Sequence, residues 1–204
     1  MNDKLEKLKA KKIVLYSMVA FWVNFFIILF THVVTGTTGL RLDYSISKYV
    51  GLSFPSAIMF LVINSAVAFG MWHYLKPKLS NTIQRILMIT IVITLIGLSL
   101  CPISLFDMII PSPIILGRTP ISFLHVLTSR LMFVIMAAFS LLTFYLGKSR
   151  TLHDKNTQKT CLAFFIYAAI CIVLYIFFPS IFWSVDVIIE SLYIAFFFIV
   201  VLSF

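Results

Sequence analysis

Four ionisable side chains of the kinds that move protons or hold charged groups sit inside otherwise apolar runs: His125 and Arg130 in one, Asp186 and Glu190 in another. A charge at membrane depth costs at least ~2.5 kcal/mol without a partner, so such groups are paired and point to function by default. Asp186 and Glu190 are four residues apart and share a helix face. His125 and Arg130 are five apart and diverge by about 140° at ~100° per residue, so they address different neighbours. Counted at ~1.5 Å per residue from Pro120 and Trp183, Arg130 approaches the depth of Glu190 and His125 that of Asp186. The direct contact expected is therefore Arg130 with Glu190. With Arg41, Asp43, Lys48, Asp107 and Arg118 from nearby loops, these groups outline a polar pocket opening outward. Its ligand-binding set is His125, Arg130, Asp186, Glu190, Asp107 and Arg118.

Other chemistries lack their motifs. There is no HExxH, CxxC, GxSxG, P-loop or GxGxxG, which removes the best-marked metal, hydrolase and nucleotide sites. His32 together with His125, Asp107 and Asp186 has ligand types suited to zinc, but nothing in their spacing demands a metal. No cofactor is expected. Cys161 and Cys171, ten residues apart on one run, are separated by about 15 Å and cannot form a disulfide, and Cys101 is most of a bilayer from Cys161; Cys101 with Cys171 is the one pairing that distance leaves open, and no disulfide is expected there.

The elements that must carry these residues are helices in a membrane. The chain has 204 residues, 61% hydrophobic and only 11% charged, with 21 Phe. A soluble domain carries about 25% charged residues, so that class is excluded. Six runs, 13–34, 51–75, 86–105, 121–146, 160–178 and 184–204, have the ~20 apolar residues a spanning helix needs and lack the alternation of a barrel strand. The fold expected is all-α: a single six-helix transmembrane domain over residues 1–204.

Basic residues choose the cytoplasmic side. The N-terminus carries Lys4, Lys7, Lys9, Lys11 and Lys12. The second loop has Lys76, Lys78 and Arg85, and the fourth has Lys148, Arg150, Lys155 and Lys159. The alternate loops hold only Arg41, Lys48 and Arg118. Both termini are thus expected in the cytoplasm of a multi-pass cell-membrane protein, with outer loops near 35–50, 106–120 and 179–183. The net charge of +9 is read as this topological signal and not as a nucleic-acid footprint. The Lys4 to Lys12 segment flanks an uncleaved first helix and meets lipid only incidentally.

Ser17, Asn24 and Thr31 recur every seven residues on one face, and Asn64 and Ser65 lie mid-helix. Interhelical hydrogen bonds account for these. Ala66 and Gly70 form a small-xxx-small pair suited to close helix approach.

The order of features resembles a known family. Ser45-Ile46-Ser47-Lys48-Tyr49-Val50-Gly51 follows the first helix, and Phe60, Asn64 and Gly70 lie on the second. Gly97 and Pro102 precede Asp107, His125 opens the fourth helix, and Ile188-Ile189-Glu190-Ser191-Leu192 lies on the sixth. This pattern resembles the DUF998 family of uncharacterised multi-pass bacterial and archaeal membrane proteins, and after it the Frag1/DRAM-type membrane proteins. The DUF998 resemblance implies an Ile-Ser motif after helix one, an acid closing helix three, a His opening helix four and a Glu-Arg pair on helix six. Ser191 stands where that Arg is expected, and Arg130 is the available replacement in space. The resemblance implies a fold and an outer cluster, and no reaction.

The function expected is a non-enzymatic carrier, receptor or accessory factor whose pocket holds a lipid headgroup or small polar solute. A pocket with both signs of charge suits a zwitterionic or phosphate-bearing headgroup, so a bound lipid or amphiphile at Arg118 or Arg130 is the expected partner besides the bilayer. The alternatives are a membrane enzyme acting on a lipid at the outer leaflet, with His125 as base or metal ligand and an acid from Asp186 or Glu190, and a purely structural scaffold. The sequence sets no oligomeric state.

Overall fold

The computed structural model describes residues 2–36, 40–42, 44–100, 120–150 and 154–204. Its helices are α1 (Asn2–Val34), α2 (Ile46–Val50), α3 (Phe54–Leu75), α4 (Thr82–Leu100), α5 (Pro120–Arg150), α6 (Lys155–Phe177), α7 (Pro179–Ser184) and α8 (Asp186–Ser203), with a 3-10 turn at Lys76–Lys78. Among the described residues there is no strand. Six helices, all but α2 and α7, are long and apolar enough to cross a membrane. The protein is an all-α, multi-pass architecture, as the six apolar runs require.

Local chemistry sets the ends. Gly36, at φ 68°, turns the chain after α1 in a conformation that costs other residues a steric penalty. The Ser53 hydroxyl accepts the Ser56 N–H at the start of α3, and Asp154 accepts the Thr157 N–H at 2.7 Å at the start of α6. Asn81 accepts the Ile83 N–H at 2.8 Å ahead of α4. Pro179 has no N–H to extend α6, so the chain breaks at Phe178 and restarts as α7.

Consecutive long helices pack as neighbours, and α8 closes back onto α1. The chain end after α1 meets the start of α8, where the Val187 N–H donates to the Leu42 carbonyl at 3.2 Å. Helices α1 and α8 therefore run antiparallel, and both termini lie at the end of the bundle opposite α2 and α7. Phe21, Phe60 and Phe198 fill one part of the interior and Phe139, Phe164 and Phe197 another. Buried polar pairs tie the helices: Asn64 Nδ2 donates to Ser99 Oγ at 2.6 Å between α3 and α4, and Gln84 Nε2 donates to Thr143 Oγ1 at 2.9 Å between α4 and α5.

The other polar line behaves differently. Ser17 and Thr31 bond to carbonyls of their own helix, Val14 and Ile27, and only Asn24 is buried, with neither amide atom hydrogen-bonded among the described residues. Gly70 makes the close approach, since a Cβ there would meet Ser17 Oγ at 3.3 Å, whereas Ala66 is exposed.

Two segments expected as loop are helical. Ile46, Tyr49 and Val50 are buried, so α2 folds inward as a plug. The Tyr49 hydroxyl donates to the Arg41 carbonyl at 2.8 Å and accepts the Arg41 N–H at 2.7 Å. Five residues carry too short a pattern to announce a helix by periodicity.

Candidate functional site

Helix α5 turns one face, Phe123, Val126, Leu127, Arg130, Phe133 and Val134, toward α6, which answers with Ala168, Cys171, Ile172 and Tyr175. Both sets follow the i, i+3, i+4, i+7 spacing of a single helix stripe. Phe182 and Trp183 of α7 and Ile189, Glu190 and Tyr193 of α8 complete a cavity of about 540 Å³. That volume lies within the ~300–1,000 Å³ range of small-molecule sites. Leu127, Val134, Ile172 and Tyr175 are exposed, so the cavity is a groove opening sideways on the flank of the bundle. The Tyr193 hydroxyl braces it by donating to the Phe133 carbonyl at 2.7 Å.

Arg130 lies beneath an aromatic roof. Its guanidinium carbon is 5.0 Å from the Trp183 ring centre and 5.4 Å from those of Tyr175 and Phe182, within cation–π range. Its ion pair is with Asp186, at 3.8 Å, and not with Glu190 as depth matching predicts. The reason is directional. Side chains on a helix lean toward its N-terminus, and a long arginine side chain extends that lean, so Arg130 reaches toward the α7 end and meets Asp186 one turn above Glu190. The pair is too long for a hydrogen bond, and the buried Arg130 Nε and Asp186 Oδ1 have no hydrogen-bond partner among the described residues.

Glu190 has a different anchor. Its Oε2 accepts the backbone N–H of Ile46 at 2.9 Å. That N–H is the first of α2, one of the donors a helix leaves unsatisfied at its start. Glu190 also faces a second, smaller cavity of about 60 Å³, lined by His125, Ser129, Asn64 and Ser47 among apolar neighbours. The space suits one or two waters at ~30 Å³ each. His125 is buried there, and Asn64 Oδ1 is a buried acceptor without a partner among the described residues. Glu190 and Phe133 line both cavities.

The sequence-predicted residues are thus divided. Arg130 and Glu190 share the groove, Asp186 stands behind Arg130, and His125 lines the smaller cavity, as its divergence from Arg130 requires. Arg41 and Lys48 gather around the Tyr44 ring and are not in the walls of either cavity. Asp43, Asp107, Arg118 and Cys101 lie outside the described residues. Among the described residues, no three His, Cys, Asp or Glu side chains form a metal-binding group, and Cys161 and Cys171 are free thiols. The groove walls are mainly apolar and aromatic. Tyr175, Phe182 and Trp183 escape a search for ionisable residues, but the α6 stripe 168, 171, 172, 175 and the aromatics flanking Pro179 are the signal that would find them.

No family model, no curated protein and no solved structure matches this chain.

Proposed function

We propose that the protein is a non-enzymatic membrane carrier, receptor or accessory factor that holds an amphiphile in the groove between α5 and α6. One observation carries this reading: a cavity of about 540 Å³ with apolar walls opens on the bundle's flank and contains Arg130 and Glu190 as its charged groups. An apolar tail entering from the bilayer would lie along Leu127, Val134 and Ile172, while its polar end meets the charges under the aromatic roof. The placement of the groove in the outer half of a cell-membrane protein, with both termini cytoplasmic, belongs to the same proposal and rests on the distribution of Lys and Arg. So does the DUF998 resemblance, two of whose motifs meet where Glu190 accepts the Ile46 N–H.

The enzymatic alternative needs an acid and a base on one reacting atom. His125 and Glu190 do border one chamber, but about 60 Å³ holds no lipid-sized substrate. Native mass spectrometry of protein released from mild detergents tests the binding reading. A retained adduct of amphiphile mass is the expected result; bare protein in every detergent would favour a scaffold.

A further inference from the structure

Among the described residues, the charges at the groove do not balance. Among the described residues, Arg130 is the cation, and Asp186 and Glu190 are the carboxyl groups that surround it. Arg130 is matched by Asp186 at 3.8 Å, and Glu190 makes no ion pair among the described residues. Its hydrogen bond from Ile46 is made with a neutral amide and supplies no charge. Its titratable and polar neighbours are His125, Arg130 and Ser129 from α5, Asp186 and Tyr193 on its own helix, Cys171 and Tyr175 from α6, Asn64 from α3 and Ser47 from α2. A carboxylate in an apolar groove is costly without a counter-charge, and either a proton or a bound cation relieves it.

The surrounding chemistry favours a positive group. Tyr175, Phe182 and Trp183 hold the Arg130 guanidinium against their rings, and Asp186 pairs with it, so the charge of Arg130 is engaged away from Glu190. Asn64 Oδ1, in the wall of the smaller cavity that Glu190 also lines, is a buried acceptor with no donor among the described residues.

Resting on the reading of the groove as an amphiphile site, we propose that its ligand is an amphiphilic cation, an alkyl- or aryl-substituted ammonium or phosphonium type of molecule, with Glu190 as the counter-charge. The zwitterionic or phosphate-bearing headgroup expected from the loop charges is the competing class. The cation's apolar body occupies the wall formed by Leu127, Val134 and Ile172, and its charge sits beside Glu190.

The test uses two lipophilic ions of similar shape and opposite sign, tetraphenylphosphonium and tetraphenylborate, with dodecylphosphocholine as the zwitterion. The full chain carries Trp22→Phe and Trp72→Phe, which leaves Trp183 at the groove as the reporter, and is held in phosphatidylcholine nanodiscs. Saturable quenching by tetraphenylphosphonium, with the other two probes weaker by about tenfold or more, is the expected result. Glu190→Gln keeps an oxygen for the Ile46 N–H and should weaken the cation by about tenfold to a hundredfold, while Glu190→Asp keeps the preference for positive charge. Equal or tighter binding of tetraphenylborate or dodecylphosphocholine, or undiminished cation binding by Glu190→Gln, overturns the cation assignment and leaves the groove as an amphiphile site. No saturable binding of any of the three overturns both. If Glu190→Gln does not fold, the three-probe series on the Glu190 protein decides alone.

Discussion

Glu190 and Ile46 are 144 residues apart in sequence and joined by a 2.9 Å hydrogen bond from the Ile46 N–H to Glu190 Oε2. The contact fastens the α2 plug to α8 at a residue that lines both the groove and the smaller cavity. Replacing Glu190 by Ala orphans a buried donor, at a cost of about 1–3 kcal/mol. Hydrogen exchange at Ile46 to Val50 should accelerate in Glu190→Ala and stay near its original rate in Glu190→Gln. Equal acceleration in both would mean that charge, not the acceptor, holds α2.

The Arg130–Asp186 pair gives a second prediction. Arg130→Leu or Asp186→Leu alone leaves a partner's charge inside the bundle and should destabilise by about 3 kcal/mol, whereas the double variant should lose less than the sum. Denaturation in micelles measures the coupling. Arg130→Leu with Glu190→Leu should couple more weakly; a larger coupling there would restore the pairing expected from depth alone.

How far the sequence carries is visible in that difference. The six spans are legible because ~20 apolar residues is a requirement of the bilayer itself, independent of tertiary detail. The separation of His125 from Arg130 is legible too, since five residues of helix fix the angle between them. The partner of Arg130 is not, because rise per residue locates Cα atoms and an arginine acts at the end of a long side chain leaning toward α7. The groove is hidden for another reason. Its walls are ordinary apolar residues whose meaning comes from α5 and α6 standing apart at one level. The α2 plug is hidden by its length.

A third prediction concerns the buried amide ties. Asn64→Ala should cost about 0.6–1.7 kcal/mol, the range for interhelical hydrogen bonds in membranes, and Ser99→Ala should add little on top of it. For the second tie, Thr143→Val takes away the acceptor of the Gln84 amide. Thermal unfolding of single and double variants reads both couplings, and full additivity at Asn64 and Ser99 would count against the 2.6 Å contact.

The topology proposal is checked with reporter fusions. Alkaline phosphatase joined after Thr37 should be active and after Asn156 inactive, because the basic flanks place the second position in the cytoplasm. The reverse pattern would turn the groove to the inner leaflet while leaving the bundle unchanged.

The central claim, that the groove between α5 and α6 is a binding site for an amphiphile, is tested most directly by an experimental structure of the protein in lipid nanodiscs. Elongated non-protein density is expected along Leu127, Val134 and Ile172, ending beside Arg130 and Glu190 under the Tyr175 and Trp183 rings. A bundle in which α5 and α6 close on each other, with Arg130 and Glu190 sealed from any such density, would contradict it.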